Sequence, residues 1–345
     1  MILLLWWQWR WRVRLGRAHA HRGVLWYNMQ HSMDVIDIVG AEIEAVAAHV
    51  PANAVVNDER VAKATGIAER RVADDGATAL DLSLRAAERL FADGVARPDD
   101  FGAVVSVSFT QHDRMPCGAC QAQSRLGLPK GVVAFDVMQA CAGYGYGLYL
   151  AALLARQTGR KTLLLDGDRQ SEFMDPDDAA TSPLLGDAGT ATVVGWSNAS
   201  PQPWKFAFAS DGEKGGALRL ERGGTIKMDG FGVFRFVATD VVEMLKSFLS
   251  TTDEDAADGS FLFVPHQANV YMVRQLAKSV GIPGDRLLVS ADRFGNLSSA
   301  SIPVTLAAHA EAVRGNRVLL AGFGGGLSAA FCLADIPSGC RLLLT

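Results

Sequence analysis

Short apolar runs alternate with segments of helical periodicity, and this alternation limits the fold more than any other feature of the chain. Four apolar runs have the length of buried strands, at residues 101–107, 132–137, 162–166 and 190–194. Between them, apolar side chains recur at helical spacing from Leu80 to Phe91. Strands that alternate with helices predict an α/β fold.

The same order returns in the second half of the chain. Helices are predicted at 236–249, after residue 266 and at 300–313, and strands at 261–264, 287–289, 317–321 and 328–333. Two halves of like order indicate a structural duplication, although no sequence repeat proves it. With the polar stretch at 196–203 as the boundary, we predict an N-terminal half at 33–200 and a C-terminal half at 201–345.

Residues 1–32 differ from the rest of the chain. They hold five Arg and no acidic residue, which leaves 28 basic and 37 acidic side chains in the other 313 residues, so a general nucleic-acid binder is not expected. The uncharged run ends at Arg10, short of the roughly 18 apolar residues of a membrane span. The segment is either a basic aromatic arm that touches anionic lipid or, as we favour, an unstructured start-site artefact ahead of Met29 or Met33.

Five cysteines, an odd number in a long chain without a secretion signal, predict reduced thiols and a cytoplasmic location. Cys117 and Cys120 form a CxxC pair, but no second Cys or His pair follows at zinc spacing. We therefore predict no metal site and favour a packing role for both thiols.

Cys141 stands where the apolar run at 132–137 passes into a long helix. Unpaired N–H groups at a helix N-terminus are expected to lower the pKa of a thiol and favour its thiolate. The alternative is a buried, inert cysteine. Gly143, Gly145 and Gly147 lack the last Gly of a dinucleotide-binding fingerprint, so close helix packing explains them better.

Two polar residues of the second half have a similar setting. His266 follows a predicted strand and precedes a helix, and Asn296 lies at what we predict to be an equivalent strand-to-helix turn. Sites in α/β proteins form at the ends of core strands. The Gly-rich sequence 322–326 predicts a tight turn, a source of N–H donors for an oxyanion, or both.

Together these segments resemble the β-ketoacyl-acyl carrier protein synthase III family of the thiolase superfamily. The resemblance covers about residues 38–334 and rests on six motifs in the family's order: TGIAERR (65–71), ACAG with Cys141, LGDAG (185–189), PHQAN with His266, GN followed by SSASIP with Asn296, and FGGG. It implies an α/β thiolase fold, in which two related halves stack as a five-layer αβαβα sandwich, and a homodimer.

The resemblance also implies roles. Cys141 takes the acyl group as a thioester, with an oxyanion hole from its own N–H and that of Gly325. His266 and Asn296 donate hydrogen bonds to the thioester oxygen of malonyl-carrier protein as it loses carbon dioxide. No metal or redox cofactor is implied. Met115 lines the partner's acyl pocket.

The same resemblance places carrier-protein docking at Arg235 and Lys278, whereas Tyr271 replaces a family Arg. Two differences oppose acetyl-CoA as the donor. Ala64 stands where the family has a CoA-contacting Arg, and Glu172 replaces another such Arg, so its carboxylate would repel the CoA phosphates.

We therefore predict an enzyme that loads an acyl group on Cys141 and condenses it decarboxylatively with malonyl-carrier protein. Its donor is an acyl-carrier thioester or an unusual acyl-CoA, in a fatty-acid, polyketide or other specialised pathway. The alternatives are an acyltransferase that passes the acyl group to a hydroxyl or amine without decarboxylation, and a non-catalytic partner subunit of a synthase.

Overall fold

The computed structural model describes residues 33–198 and 202–345. The predicted N-terminal extension at 1–32 and part of the predicted boundary at 196–203 lie outside these residues. The strands are β1 Ile36–Ile38, β2 Ala41–His49, β3 Ala54–Val56, β4 Glu69–Arg71, β5 Phe101–Val107, β6 Val133–Val137, β7 Lys161–Arg169, β8 Asp187–Trp196, β9 Trp204–Ser210, β10 Leu218–Arg219, β11 Lys227–Met228, β12 Leu262–Pro265, β13 Arg317–Gly324, β14 Ser328–Asp335 and β15 Arg341–Leu344.

The α-helices are α1 Glu59–Thr65, α2 Ala79–Ala92, α3 Gly118–Arg125, α4 Gly143–Thr158, α5 Gly230–Phe236, α6 Val242–Thr251, α7 Val270–Val280, α8 Ala291–Phe294, α9 Ser301–Ala308 and α10 Ala310–Val313. A π-helical turn at Val237–Val241 joins α5 to α6, and short 3₁₀ turns include Gln170–Phe173 and Ser298–Ala300.

Two sheets organise the chain. The six-stranded sheet has the order β15-β2-β8-β7-β5-β6, and the five-stranded sheet has the order β1-β9-β14-β13-β12. Each sheet contains one strand from the other half of the chain. Strand β1 pairs antiparallel with β9 of the second half, and β15 pairs parallel with β2 of the first half. The terminal strands therefore tie the two halves together.

The layers follow from the apolar clusters. Helices α4 and α9 lie between the two sheets. Leu148 of α4 and Ile302 of α9 belong to one apolar cluster that also contains side chains of both sheets. Helices α2 and α3 cover the outer face of the six-stranded sheet, and α6 and α7 cover the outer face of the five-stranded sheet. This confirms the predicted thiolase fold with its αβαβα order.

Helix α4 fits between the sheets because its first turns carry glycine. A Cβ atom at Gly143 would lie 2.6 Å from Val107 Cγ1, and one at Gly147 would lie 2.7 Å from Leu164 Cδ1, both on the six-stranded sheet. On the opposite face, a Cβ at Gly145 would lie 2.7 Å from the Ala330 Cβ. Close packing therefore explains these glycines, as predicted.

The sequence-based assignment was wrong in three details. Residues 287–289 form no strand, because the backbone turns away after a single bridge between Leu287 and Phe263. The predicted helix at 300–313 begins as a 3₁₀ turn and is interrupted at His309. Packing explains only Cys117 of the CxxC pair, because Cys120 is exposed.

Candidate active site

Cys141 lies between β6 and α4, directly before the Ala142 N-cap of that helix, and only 7% of its surface is exposed. Burial raises the pKa of its thiol to about 12, and the negative charge of Asp168 contributes to the rise. The prediction that the helix N-terminus lowers this pKa enough to favour the thiolate is therefore wrong, because burial outweighs the N–H groups. At neutral pH the thiol holds its proton in the absence of substrate.

Two backbone N–H groups reach the Cys141 sulfur. The N–H of Gly325 and the N–H of Cys141 itself both act to lower the pKa of the thiol. Gly325 belongs to the tight turn between β13 and β14, and a Cβ at Gly324 in that turn would lie 3.0 Å from the sulfur. The turn therefore brings backbone close to the thiol and also supplies an N–H donor.

His266 follows β12 directly, as predicted, and its ring is buried. Burial lowers the pKa of His266 to about 4, so the imidazole is neutral at physiological pH. Its Nδ1 lies 3.0 Å from the Ser298 carbonyl oxygen and 2.9 Å from Ser301 Oγ. Because Ser301 Oγ donates its own hydrogen to the Ser298 carbonyl at 2.6 Å, these partners place the imidazole hydrogen on Nδ1 and leave Nε2 as an acceptor.

Asn296 is placed differently from His266. It follows the short helix α8, not a strand, so the predicted strand-to-helix turn is wrong here. Its backbone N–H donates to the Leu184 carbonyl at 2.8 Å, and its carbonyl accepts from the Gly186 N–H at 2.9 Å. Its side-chain Oδ1 accepts from the Ser298 N–H at 3.0 Å, which leaves the Nδ2 amide group as a donor.

Ser298 orients both polar side chains of the site. Its N–H holds Asn296 Oδ1 and its carbonyl holds His266 Nδ1. The residue adopts a φ of 55°, in the left-handed region that non-glycine residues seldom occupy. Strain of this kind persists where surrounding structure imposes it, and it gathers at functional sites.

Asp168 lies near the carboxyl end of β7 and is fully buried. Its Oδ1 accepts hydrogen bonds from two side-chain hydroxyls and two backbone N–H groups of Ser108, Phe109 and Thr110, at 2.9–3.2 Å. Burial nevertheless raises its pKa to about 6. Asp168 Oδ2 and Ser298 Oγ have no partner within hydrogen-bond geometry among the described residues, yet the Ser298 hydroxyl lies close enough to Asp168 and Cys141 to lower the pKa of each.

A cavity of about 380 Å³ opens onto Cys141, Asn296 and Gly325. Most of its other lining side chains are apolar, among them Phe109, Met138, Leu185, Leu218, Ile226 and Met228. Gln170, which is 3% exposed, also lines it. The cavity can hold a mostly apolar group next to the thiol. His266 is not among its lining residues and meets the site through Ser298.

The remaining predicted site residues lie away from this cavity. Met115 does not line it and is 88% exposed. Arg235 is exposed at the end of α5, and Lys278 is exposed near the end of α7, where the two line separate surface cavities. Their roles in acyl binding and carrier docking stay predictions.

The two positions that are predicted to oppose CoA binding are also exposed. Ala64 lies on α1, none of whose residues is buried. Glu172 lies in the 3₁₀ turn after β7, with its carboxylate 3.4 Å from Arg169 Nη1. Among residues 33–198 and 202–345, no cluster of His, Cys, Asp and Glu could hold a metal ion, and no helix is long and apolar enough to cross a membrane.

Sequence reasoning missed Ser298, Asp168 and Gln170. The signal for Asp168 was present, because DGD at 166–168 places two acidic residues at the end of an apolar strand. Gln170 follows two residues later. Ser298 stands first in the SSASIP motif, but the motif does not show its role, which depends on backbone groups that only the folded turn presents.

Comparison with known proteins agrees with this geometry. Residues 135–212 match the family 3-oxoacyl-[acyl-carrier-protein (ACP)] synthase III, and residues 258–336 match the C-terminal domain of that family. A β-ketoacyl-[acyl-carrier-protein] synthase III of Syntrophomonas wolfei is 33% identical over 291 residues, which cover 79% of this chain and 87% of the relative.

Solved structures give the same result. The 3-oxoacyl-(acyl-carrier protein) synthase of Burkholderia xenovorans LB400 superposes with a TM-score of 0.85 at 29% identity, covering 91% of this chain and 99% of its own. The priming β-ketosynthase of the R1128 polyketide pathway superposes with a TM-score of 0.78 at 27% identity, covering 86% and 96%. The sequence motifs, the five-layer fold and these relatives together show that the chain belongs to the β-ketoacyl-acyl carrier protein synthase III family of condensing acyltransferases.

Proposed function

We propose that this enzyme transfers an acyl group from a thioester donor to Cys141 and then condenses it with malonyl-carrier protein. In the first step the sulfur attacks the thioester carbonyl, the carrier thiol leaves, and the N–H groups of Cys141 and Gly325 stabilise the oxyanion. In the second step the malonyl group loses carbon dioxide, and the resulting enolate carbon attacks the acyl-Cys carbonyl. Carbon–carbon bond formation then releases the Cys141 thiolate.

The observation that carries this proposal is the arrangement around Ser298. Its backbone N–H donates a hydrogen bond to Asn296 Oδ1, so the hydrogens of the Asn296 Nδ2 group are free to bind other acceptors. Asn296 also lines the same cavity as the Cys141 thiol. A fixed N–H donor at this place suits the oxygen of a malonyl thioester as it becomes an enolate.

His266 has the same proposed role, which requires its hydrogen on Nε2. The contact between Nδ1 and the Ser298 carbonyl instead favours a hydrogen on Nδ1 in the free enzyme. Ser301 Oγ, 2.9 Å from Nδ1, is placed to donate to it instead. If this hydroxyl rotates to donate to Nδ1, the Nδ1 hydrogen passes to water and another water supplies a hydrogen to Nε2, so that His266 becomes a neutral donor.

We propose that the donor is not acetyl-CoA. Glu172 and Ala64 replace the cationic residues that the family resemblance places against CoA, and the cavity beside Cys141 has room for an acyl chain longer than two carbons. Carrier protein, which is acidic in this family, is the proposed partner at Arg235 and Lys278. The reaction as written uses no metal or redox cofactor, and the cytoplasmic location stays a prediction.

The enzyme is proposed to act as a homodimer. Strand β6 lies at the edge of the six-stranded sheet and pairs only with β5 among the described residues. Apolar side chains at this edge are exposed, namely Val133 in the strand and Met138 directly after it. An apolar edge strand is a template for pairing with another chain. Sedimentation should show a dimer at micromolar concentration, and Val133→Lys should shift it toward monomer.

The test of the activity is intact-protein mass spectrometry with a panel of acyl-CoAs and acyl-carrier thioesters, followed by a chase with malonyl-carrier protein labelled in its free carboxyl group. The proposal expects loading from carrier thioesters or longer acyl-CoAs, weak loading from acetyl-CoA, and discharge of the adduct with one labelled carbon dioxide released per acyl group.

Each other outcome points to one of the alternatives. An adduct that malonyl-carrier protein leaves in place, but a hydroxyl or amine acceptor removes without carbon dioxide release, would assign the acyltransferase. A failure of every donor to load Cys141 would assign the non-catalytic partner subunit.

A further inference from the structure

Gln170 places a polar group in the wall of an otherwise largely apolar cavity. It follows β7 in a 3₁₀ turn, is 3% exposed, and lines the cavity together with Cys141 and Asn296. Its Nε2 donates to the Gly186 carbonyl and to the Asn296 carbonyl, at 2.7 Å each. Both amide hydrogens are therefore used, and because both partners only accept, the nitrogen and oxygen of this side chain are unambiguous.

The amide oxygen of Gln170, Oε1, has no corresponding partner within the described part of the chain. Water is the expected partner of such an oxygen in the free enzyme, and an alkyl chain that displaces the water leaves the oxygen unpaired at a cost. A ligand that brings its own O–H donor avoids that cost.

The other polar side chains of the cavity are less suited to this task. Thr181 Oγ1 donates to Asp178 Oδ2 at 3.0 Å, and Arg219 pairs with Glu221 at 3.0 Å. Asn296 serves the proposed condensation. Gln139 has no side-chain partner among the described residues, but it is only half-buried, so water competes for its amide group.

We propose that Gln170 accepts a hydrogen bond from a hydroxyl group on the acyl chain, so that the enzyme selects hydroxyacyl over unsubstituted acyl thioesters of equal length. This inference rests on the acyl loading of Cys141 proposed above and names the class of acyl group loaded. Gln170 acts as a specificity residue, and one of its two donated hydrogen bonds also holds the backbone carbonyl of Asn296.

The test compares loading rates of Cys141, by intact-protein mass, from butanoyl-, 2-hydroxybutanoyl- and 3-hydroxybutanoyl-carrier thioesters and from their six-carbon counterparts. In the native enzyme at least one hydroxyacyl donor should load roughly ten- to a hundredfold faster than its unsubstituted partner, the range for leaving a buried acceptor unpaired. Gln170→Leu should bring that ratio to about one. Gln139→Leu, the same change in the same cavity, should leave it intact.

The ratio separates a specificity role from a structural one. If Gln170 only supports Asn296, Gln170→Leu slows both donors equally and the ratio persists, which overturns the proposal. A ratio near one in the native enzyme also overturns it. That ratio is expected if Gln170 Oε1 instead binds the pantetheine amides, which every donor shares. In both cases acyl loading itself stands. Only a failure of all donors to load would overturn this inference together with the proposed function.

Discussion

The turn that carries Cys141 and the turn from Asn296 to Ser301 meet at one cavity, yet they differ in the chemical groups that surround them. Around Cys141 the chain offers glycine, apolar side chains and backbone N–H groups, and burial raises the pKa of the thiol. The second turn is a hydrogen-bonded network in which Ser298 fixes both Asn296 and His266.

The difference indicates a division of labour. A thiol among apolar groups and N–H donors suits the formation and protection of a thioester, because the N–H groups act on an oxygen that becomes charged only during reaction. Oriented neutral polar side chains suit the stabilisation of a malonyl enolate. The two turns should therefore be separable by mutation, with one serving loading and the other condensation.

The largest effect is expected at the first turn. Cys141→Ser should abolish the acyl adduct, because a serine hydroxyl at the same buried place is a far weaker nucleophile without an adjacent base. Intact-protein mass after incubation with donor measures this. Cys120→Ser, at an exposed thiol, is the matched control and should load normally. An adduct that persists in the Cys141 variant would place the nucleophile elsewhere.

A smaller effect is expected from Asp168, whose charge acts on the thiol of the first turn. Its negative charge raises the pKa of Cys141, so Asp168→Asn should lower that pKa and speed alkylation by iodoacetamide. One pKa unit corresponds to about a tenfold gain at a given pH below the thiol pKa. Because the pKa of Asp168 is about 6, the native and variant rates should diverge above pH 6 and converge below it.

Asp166→Asn is the control for this change. Asp166 is also buried on β7, but it accepts a hydrogen bond from Ser299 Oγ at 2.5 Å and is not among the groups that shift the pKa of the thiol most. An unchanged or slower alkylation profile in Asp168→Asn would show that Asp168 does not control the ionisation of Cys141.

The sequence was sufficient to predict the α/β order and the positions of Cys141 and His266, because strand runs and the ends of strands leave local patterns. It was insufficient for Asn296, where the expected strand at 287–289 is a single bridge, and for Ser298, whose carbonyl and N–H act through tertiary contacts. The pKa of Cys141 was predicted in the wrong direction, because helix position is visible in the sequence but burial and the nearby Asp168 are not.

The smallest effect is expected from a change that touches neither turn. Removal of residues 1–32 should leave loading and condensation rates unchanged, since the predicted family resemblance begins near Ile38. The rates of the full and shortened chains, measured side by side with a solubility check, test this. Lost activity or solubility would instead support the basic aromatic arm.

The most direct test of the division of labour measures both steps on one sample. Native enzyme, His266→Ala and Asn296→Ala are first loaded with donor and followed by mass, and then chased with malonyl-carrier protein. The account predicts loading within about tenfold of native in both variants, but discharge slower by roughly a hundredfold or more, the scale of losing one oriented donor. Equal losses in loading and discharge would contradict it and make the two turns a single functional unit.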